Sequence, residues 1–196
     1  QQIYISSDDI YEHIHWNVEN FHNIANVCPE LKERVIVLNG VSKAYSMTGW
    51  RIGYAAGNKE IIKKMKTLQS QSTSCASSVS QAAACAALSQ KCTEMSLMTE
   101  EYKKRHDYVV NQLNEIDGVF CKATDGTFYV FPSFKQYISD SKTINNDSEL
   151  ALHLLNNAKV AVVPGSAFGQ EGHIRLSIAI DMSSLKSAMT RIANSL

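Results

Sequence analysis

Net charge is the first thing this sequence lacks: 19 Lys and Arg stand against 19 Asp and Glu over 196 residues. General nucleic-acid or anionic-membrane binding needs a basic surplus, so neither is expected. A long apolar run is also missing. Nothing approaches the ~18 residues a membrane helix requires, and mean hydropathy is only −0.18. Cysteine is sparse, odd in number and unpaired in pattern: Cys28, Cys75, Cys85, Cys92 and Cys121 contain no C-x-x-C spacing. That set fits neither a disulfide framework nor a zinc ribbon, and reduced thiols in a cytoplasmic setting are the expectation. No initiator Met precedes Ile3-Tyr4-Ile5-Ser6, which reads as a strand already under way, so the missing targeting segment is uninformative. What the chain does have is 44% apolar residues, enough to exclude disorder and to build one large or two small domains.

The hydrophobic rhythm is α/β. Residues 3–6 read as a strand followed by Asp8-Asp9-Ile10-Tyr11, and Val35–Leu38, apolar on both faces, as a buried parallel strand. A loop rich in Gly, Ser and Thr fills Asn39–Gly49, and 52–56 make a third strand. A helix follows over 59–71, with Ile61, Ile62, Met65 and Leu68 on one stripe. Between Thr67 and Gln90 no residue is charged; Ser70–Ser78 reads as loop and Val79–Leu88 as an Ala-rich helix, buried or set in a subunit interface. A long amphipathic helix runs from Glu94 to Ile116. Beyond it the pattern predicts strands at 119–121, 128–131, 160–163 and 173–180, with helices at 148–158 and 183–195. The domain boundary is expected near residue 94, giving a first domain over 1–93 and a second over 94–196. Two parallel strands and one more cannot cover the helices of the first segment, so the chain reads as the C-terminal part of a longer one.

The most informative stretch is Ser42-Lys43-Ala44-Tyr45-Ser46-Met47-Thr48-Gly49-Trp50-Arg51-Ile52-Gly53-Tyr54. A lysine between apolar strands is unusual, and in a dry pocket near another cation its amine becomes nucleophilic. Arg51 supplies a planar fork suited to a phosphate. On spacing alone a surface lysine with a structural arginine is the better reading. Asp8 lies at the carboxyl end of the first strand, where α/β proteins bind ligands, with Tyr11 three residues on. An ionised carboxylate there can keep a heterocyclic nitrogen protonated; a turn-forming Asp is the plain alternative.

Taken together these residues resemble the fold-type-I pyridoxal-phosphate enzymes, and more narrowly the class I/II aminotransferases of the aspartate aminotransferase family. The resemblance covers essentially all 196 residues. It implies the C-terminal part of a large pyridoxal-phosphate-binding domain with a mostly parallel sheet, followed by a smaller α/β domain. It also implies that Lys43 is the catalytic Schiff-base lysine, that Arg51 binds the phosphate, and that Asp8 pairs with the pyridine nitrogen and Tyr11 with the ring oxygen. Arg175, in His173-Ile174-Arg175-Leu176-Ser177, matches the arginine that grips the substrate α-carboxylate; otherwise it is an outward strand arginine in a surface ion pair. The implied partners are an amino acid, aspartate or a related acidic or aromatic one, and a 2-oxo acid, with some members accepting prephenate. A homodimer is implied too.

Two departures stand out. Gly40 occupies the position three before the lysine where the family often has a phosphate-contacting hydroxyl, and the family's N-terminal half, with its Gly/Ser-rich phosphate turn, has no counterpart upstream of Asp8. The 196 residues alone are therefore expected to bind the cofactor poorly. No Lys or Arg lies in 72–80, so a distal-carboxylate arginine offered from that segment is absent. A β-elimination lyase of the same fold and a non-catalytic aminotransferase-like module remain alternatives. Weaker signals take plain readings. His13, His15 and His22 lack a further ligand in register, so no metal is expected. Cys85 and Cys92 are expected as small core residues, Lys103-Lys104-Arg105 as a solvated helix face, and Asp147 or Ser148 as a helix cap.

Overall fold

Short apolar runs closed by Asn, Asp and Gly build the beginning of the chain, and long amphipathic stretches build the end. The computed structural model describes residues 3–16, 21–90 and 93–196. By contacts the chain divides into Gln1–Thr99 and Glu100–Leu196.

In the first unit, β1 (Ile5–Asp8) pairs in parallel with β2 (Val35–Gly40), with Asp8 opposite Leu38. β3 (Gly53–Gly57) lies antiparallel on the other side of β2. The first strand thus starts two residues later than its sequence suggests and carries Asp8 as its last residue. Between β1 and β2 lies the one-turn helix α1 (Ile24–Val27), capped by the Asn23 side chain. α2 (Lys59–Ser72) starts at Asn58, whose side chain accepts from Glu60 and Ile61. It outruns the expected loop start because the Ser72 hydroxyl bonds back to the Leu68 carbonyl at 3.1 Å. α3 (Ser78–Ser89) follows. Burial removes one of the two sequence readings here, a buried stretch within this chain. Leu68 is 72% exposed and Val79 66%, and α3 buries only Ser80 and Ala84, so within this chain the uncharged stretch is open surface. Cys85 is likewise exposed, contrary to the core role expected of it, while Cys92 lies outside the described residues.

The long helix α4 spans Thr93–Asn114, and the division between the units falls inside it. In the second unit, β4 (Tyr129–Val130), β6 (Ile174–Ser177) and β5 (Val163–Pro164) form an antiparallel sheet with β6 central. α5 (Lys135–Asp140) and α6 (Asp147–His153) lie between β4 and β5, with a π turn over Leu154–Ala158 extending α6, and α7 (Met182–Ser195) closes the chain. Apolar burial is continuous here, through Val109, Leu113, Val130, Leu150, Ile174 and Ile192.

Three expectations fail locally, each for a visible reason. The 119–121 run is not a strand but a single bridge from Phe120 to Ser133, because both backbone groups of Cys121 bond to the Asn114 side chain. The 160–163 run shrinks to Val163–Pro164, since the Val160 N–H is spent on the Leu154 carbonyl closing the preceding turn. The cap of α6 is Asn146, not Asp147 or Ser148; Asp147 is buried and turned to a different task.

Candidate active site

The parallel pair β1–β2 delivers two chain ends to the same edge. Asp8 closes β1, and the chain leaving β2 turns at once through Val41–Tyr45. Val41 and Ala44 are buried on either side of Lys43, which fixes the lysine backbone while leaving its side chain half-buried. The turn then tightens through Ser46 N–H to the Lys43 carbonyl at 3.1 Å. Two non-glycine residues of this loop hold left-handed backbone, Ser46 at φ 53° and Arg51 at φ 52°. Each costs about 1–2 kcal/mol, and strain of this kind gathers where side chains must be aimed. Gly40 sits in tight quarters: a Cβ there would meet the Ile52 carbonyl at 3.0 Å and the Ile10 side chain at 3.1 Å, so any larger residue needs the neighbouring strand to give by a few tenths of an ångström.

The result is a cleft of about 470 Å³ whose walls include Asp8, Tyr11, Lys43 and Arg51. All four residues singled out from one half of the sequence therefore share one hollow. Asp8 is exposed to it, and its carboxylate accepts a 3.3 Å contact from the Ile10 N–H. The neighbouring Asp9 points inward instead and is buried, accepting from Ser7 at 2.7 Å and from the Asn23 amide. The chain thus turns one aspartate into the fold and leaves its neighbour facing the cleft. Arg51 is exposed, steadied by a 2.9 Å bond from its Nη1 to the Thr48 carbonyl, and among the described residues no carboxylate pairs with it. At the flank, burial pushes the Tyr54 phenol above its usual range, with Glu12 and Tyr45 adding to the effect.

Chemically the cleft offers an amine for a carbonyl, a guanidinium for an anionic tail, a carboxylate for a basic ring nitrogen and a phenol for a ring oxygen. Asn39, Ser42 and Thr48 also line it. None was picked from the sequence. Ser42 and Thr48 were legible as hydroxyls beside Lys43 and before Arg51; Asn39 had no signal of its own.

Arg175 belongs to the second unit, at β6. Its guanidinium lies 4.4 Å from the Tyr129 ring and 4.5 Å from the Phe168 ring, and no described carboxylate pairs with it. The surface ion pair that would make it ordinary is not formed. A larger hollow of about 600 Å³ in the same unit, walled by Lys135, Asp147 and Glu171 among others, carries mixed charge. Its buried carboxylate, Asp147, is already committed to the Ser166 N–H at 2.5 Å. Among the described residues no group of His, Cys, Asp or Glu could hold a metal, and no helix is long and apolar enough to cross a membrane.

Comparison with known proteins agrees with this geometry. The family model for aminotransferase class I and II matches residues 1–192. An aspartate/prephenate aminotransferase of Nitrosomonas europaea is 48% identical over 98% of this chain and 50% of its own length. An aspartate aminotransferase of Rhizobium meliloti is 46% identical over 97% of this chain and 48% of its own. The crystal structure of the aspartate aminotransferase from Rhizobium meliloti superposes with a TM-score of 0.92 at 45% identity, covering 98% of this chain and 49% of that one. The chain thus spans about half the length of the curated relatives it matches.

Proposed function

The chain belongs to the class I and II aminotransferases, and from that membership we propose that it supplies the C-terminal part of a pyridoxal-phosphate-dependent aminotransferase. The reaction moves an amino group between an L-amino acid, aspartate or a related acidic or aromatic one, and a 2-oxo acid. The observation that carries this reading is the shared cleft of Asp8, Tyr11, Lys43 and Arg51, whose donor set fits pyridoxal phosphate group by group.

In this reading 1–93 is the end of the cofactor-binding domain and 94–196 the small domain. Arg51 would hold the phosphate through a planar fork, the Asp8 carboxylate would pair with the ring nitrogen, and Tyr11 would donate to the ring oxygen. Bound pyridoxal phosphate supplies an electron-accepting ring that draws negative charge away from the substrate α-carbon. The Lys43 amine would hold the cofactor and, once freed by the incoming substrate amine, would take the substrate α-proton as general base and pass that same proton as general acid to the cofactor-side carbon. The Arg175 guanidinium grips the α-carboxylate and so fixes which bond is aligned for cleavage. A homodimer in the cytoplasm completes the proposal, supported by the uncharged, solvent-open surface over 67–90 and by thiols outside any disulfide pattern.

The test uses the full-length polypeptide containing these residues. Supplied with pyridoxal phosphate, it should develop a visible absorption band, and borohydride should fix the cofactor's mass on the peptide bearing Lys43. Lys43→Ala should abolish both the label and amino-group transfer, a loss of several orders of magnitude. Labelling of another lysine would refute the assignment, and steady release of a 2-oxo acid without an amino acceptor would favour elimination over transfer.

A further inference from the structure

We propose that Tyr129 and Phe168 form an aromatic clamp that holds the Arg175 guanidinium and sets the aim of its fork toward a substrate carboxylate. This rests on the reading of Arg175 as the carboxylate-binding residue. The geometry begins with strand register. Tyr129 sits opposite Ser177 in the β4–β6 pair, which puts it diagonal to Arg175 on the same face. Arg175 in turn lies opposite Val163 in the β5–β6 pair, and β5 leads straight into the turn Gly165–Phe168 that brings the second ring. The rings lie 4.4 Å and 4.5 Å from the guanidinium carbon, well inside cation–π range.

Phe168 is held in place, not merely adjacent. Phe131 meets it edge-on at 6.1 Å and is itself stacked on His173 at 5.2 Å. The turn carrying Phe168 is pinned at Ser166 by the buried Asp147 carboxylate, at 2.5 Å. It is pinned again at Gly165, whose N–H bonds the His173 carbonyl at 2.7 Å. A Cβ on Gly165 would come within 2.3 Å of the Gln170 carbonyl, so only glycine permits this turn. Yet Phe168 remains 49% exposed; core packing does not account for a ring so placed, whereas capping a guanidinium does. Held against two rings, the guanidinium keeps its in-plane donors for a ligand, and a carboxylate accepts two parallel bonds from that fork. Tyr129 and Phe168 are positioning residues acting through Arg175.

Titration of the full-length, cofactor-loaded protein with propionate tests this, read by calorimetry. Phe168→Leu or Tyr129→Leu should weaken propionate by about 5-fold, the scale of one cation–π contact. Phe168→Tyr and Tyr129→Phe, which keep the rings, should behave as wild type. Cofactor loading should not change in any of them. A second observable needs no variant: the Arg175 Nε–H resonance in the same protein should be shifted upfield by the flanking rings, and a random-coil position would overturn the clamp. So would leucine variants that bind propionate within twofold of wild type while Arg175→Ala does not bind it. If Arg175→Ala binds propionate normally, the reading of Arg175 itself fails.

Discussion

Asp8 and Asp9 are adjacent and chemically identical, yet one faces the cleft while the other is consumed in the fold by Ser7 and Asn23. The cysteines divide in the same way. Cys75 and Cys85 are exposed, whereas Cys121 is buried and burial pushes its thiol up to about 11. Because only a thiolate attacks a disulfide reagent, Ellman's reagent at pH 8 should modify Cys75 and Cys85 within minutes and leave Cys121 unmodified until the protein unfolds. Site-resolved mass spectrometry reads the result; labelling of Cys121 at the rate of Cys75 would sink it. The same shift predicts a stability trend. A raised folded value means the native state keeps its proton while the unfolded thiol ionises from about pH 8.5. Stability should therefore decline as pH climbs from the ordinary thiol range toward about 11, and Cys121→Ser should flatten that part of the curve.

At the scale of elements, caps fix where helices begin, and one of them makes a helix pH-sensitive. The Asp181 carboxylate caps α7, accepting from the Ser183 hydroxyl at 2.5 Å and the Ser184 N–H at 2.9 Å. These bonds, Ser183 first, hold it well below the usual carboxylate range. A depressed folded value contributes stability that is complete above the ordinary aspartate range, near pH 4, and is lost as pH falls through the folded value. Thermal unfolding of the full-length protein should show α7 protection falling below pH 4, and Asp181→Asn should be less stable at pH 7 but nearly insensitive to that acid step. Equal acid sensitivity in both would contradict the cap. Element existence was readable wherever a long period was present, as in α2, α4 and α7, and the loop that brings Lys43 and Arg51 to one cleft stood out because its residues form a dense local pattern. The short strands were not. Whether 119–121 pairs depends on the Asn114 side chain, and whether 160–163 pairs depends on a carbonyl in the preceding turn. The aromatic clamp was equally invisible, since residues 129, 168 and 175 meet only through antiparallel register. The cap of α6 was misplaced by one residue because Asn146, Asp147 and Ser148 are all good caps, and burial of Asp147 decides among them.

At the scale of the whole chain the two units are unequally built. Among the described residues, the buried apolar set of the first unit is Ile14, Val35, Val41, Ala44 and Ala84, while the second has a continuous core from Val109 to Ile192. A leucine or valine left in water forgoes roughly 1.5–3 kcal/mol of burial, and Leu68, Val79, Leu88 and Leu97 of the first unit all stand out of the core. Local opening free energy follows buried apolar contact, so stability should be graded along the chain. Amide hydrogen exchange on these 196 residues should find β6 and α7 protected to the level of global unfolding and α2 and α3 exchanging near the rate of an open helix. The hydrophobic dye ANS should bind the exposed surface of the first unit, and Leu68→Glu with Val79→Glu should reduce that binding severalfold without touching the protection of α7. The proposed homodimer predicts that the same α2 and α3 amides become slow in the full-length protein. Slow exchange of α2 and α3 in the 196 residues alone would show that the first unit is stable by itself and that its uncharged face needs no cover.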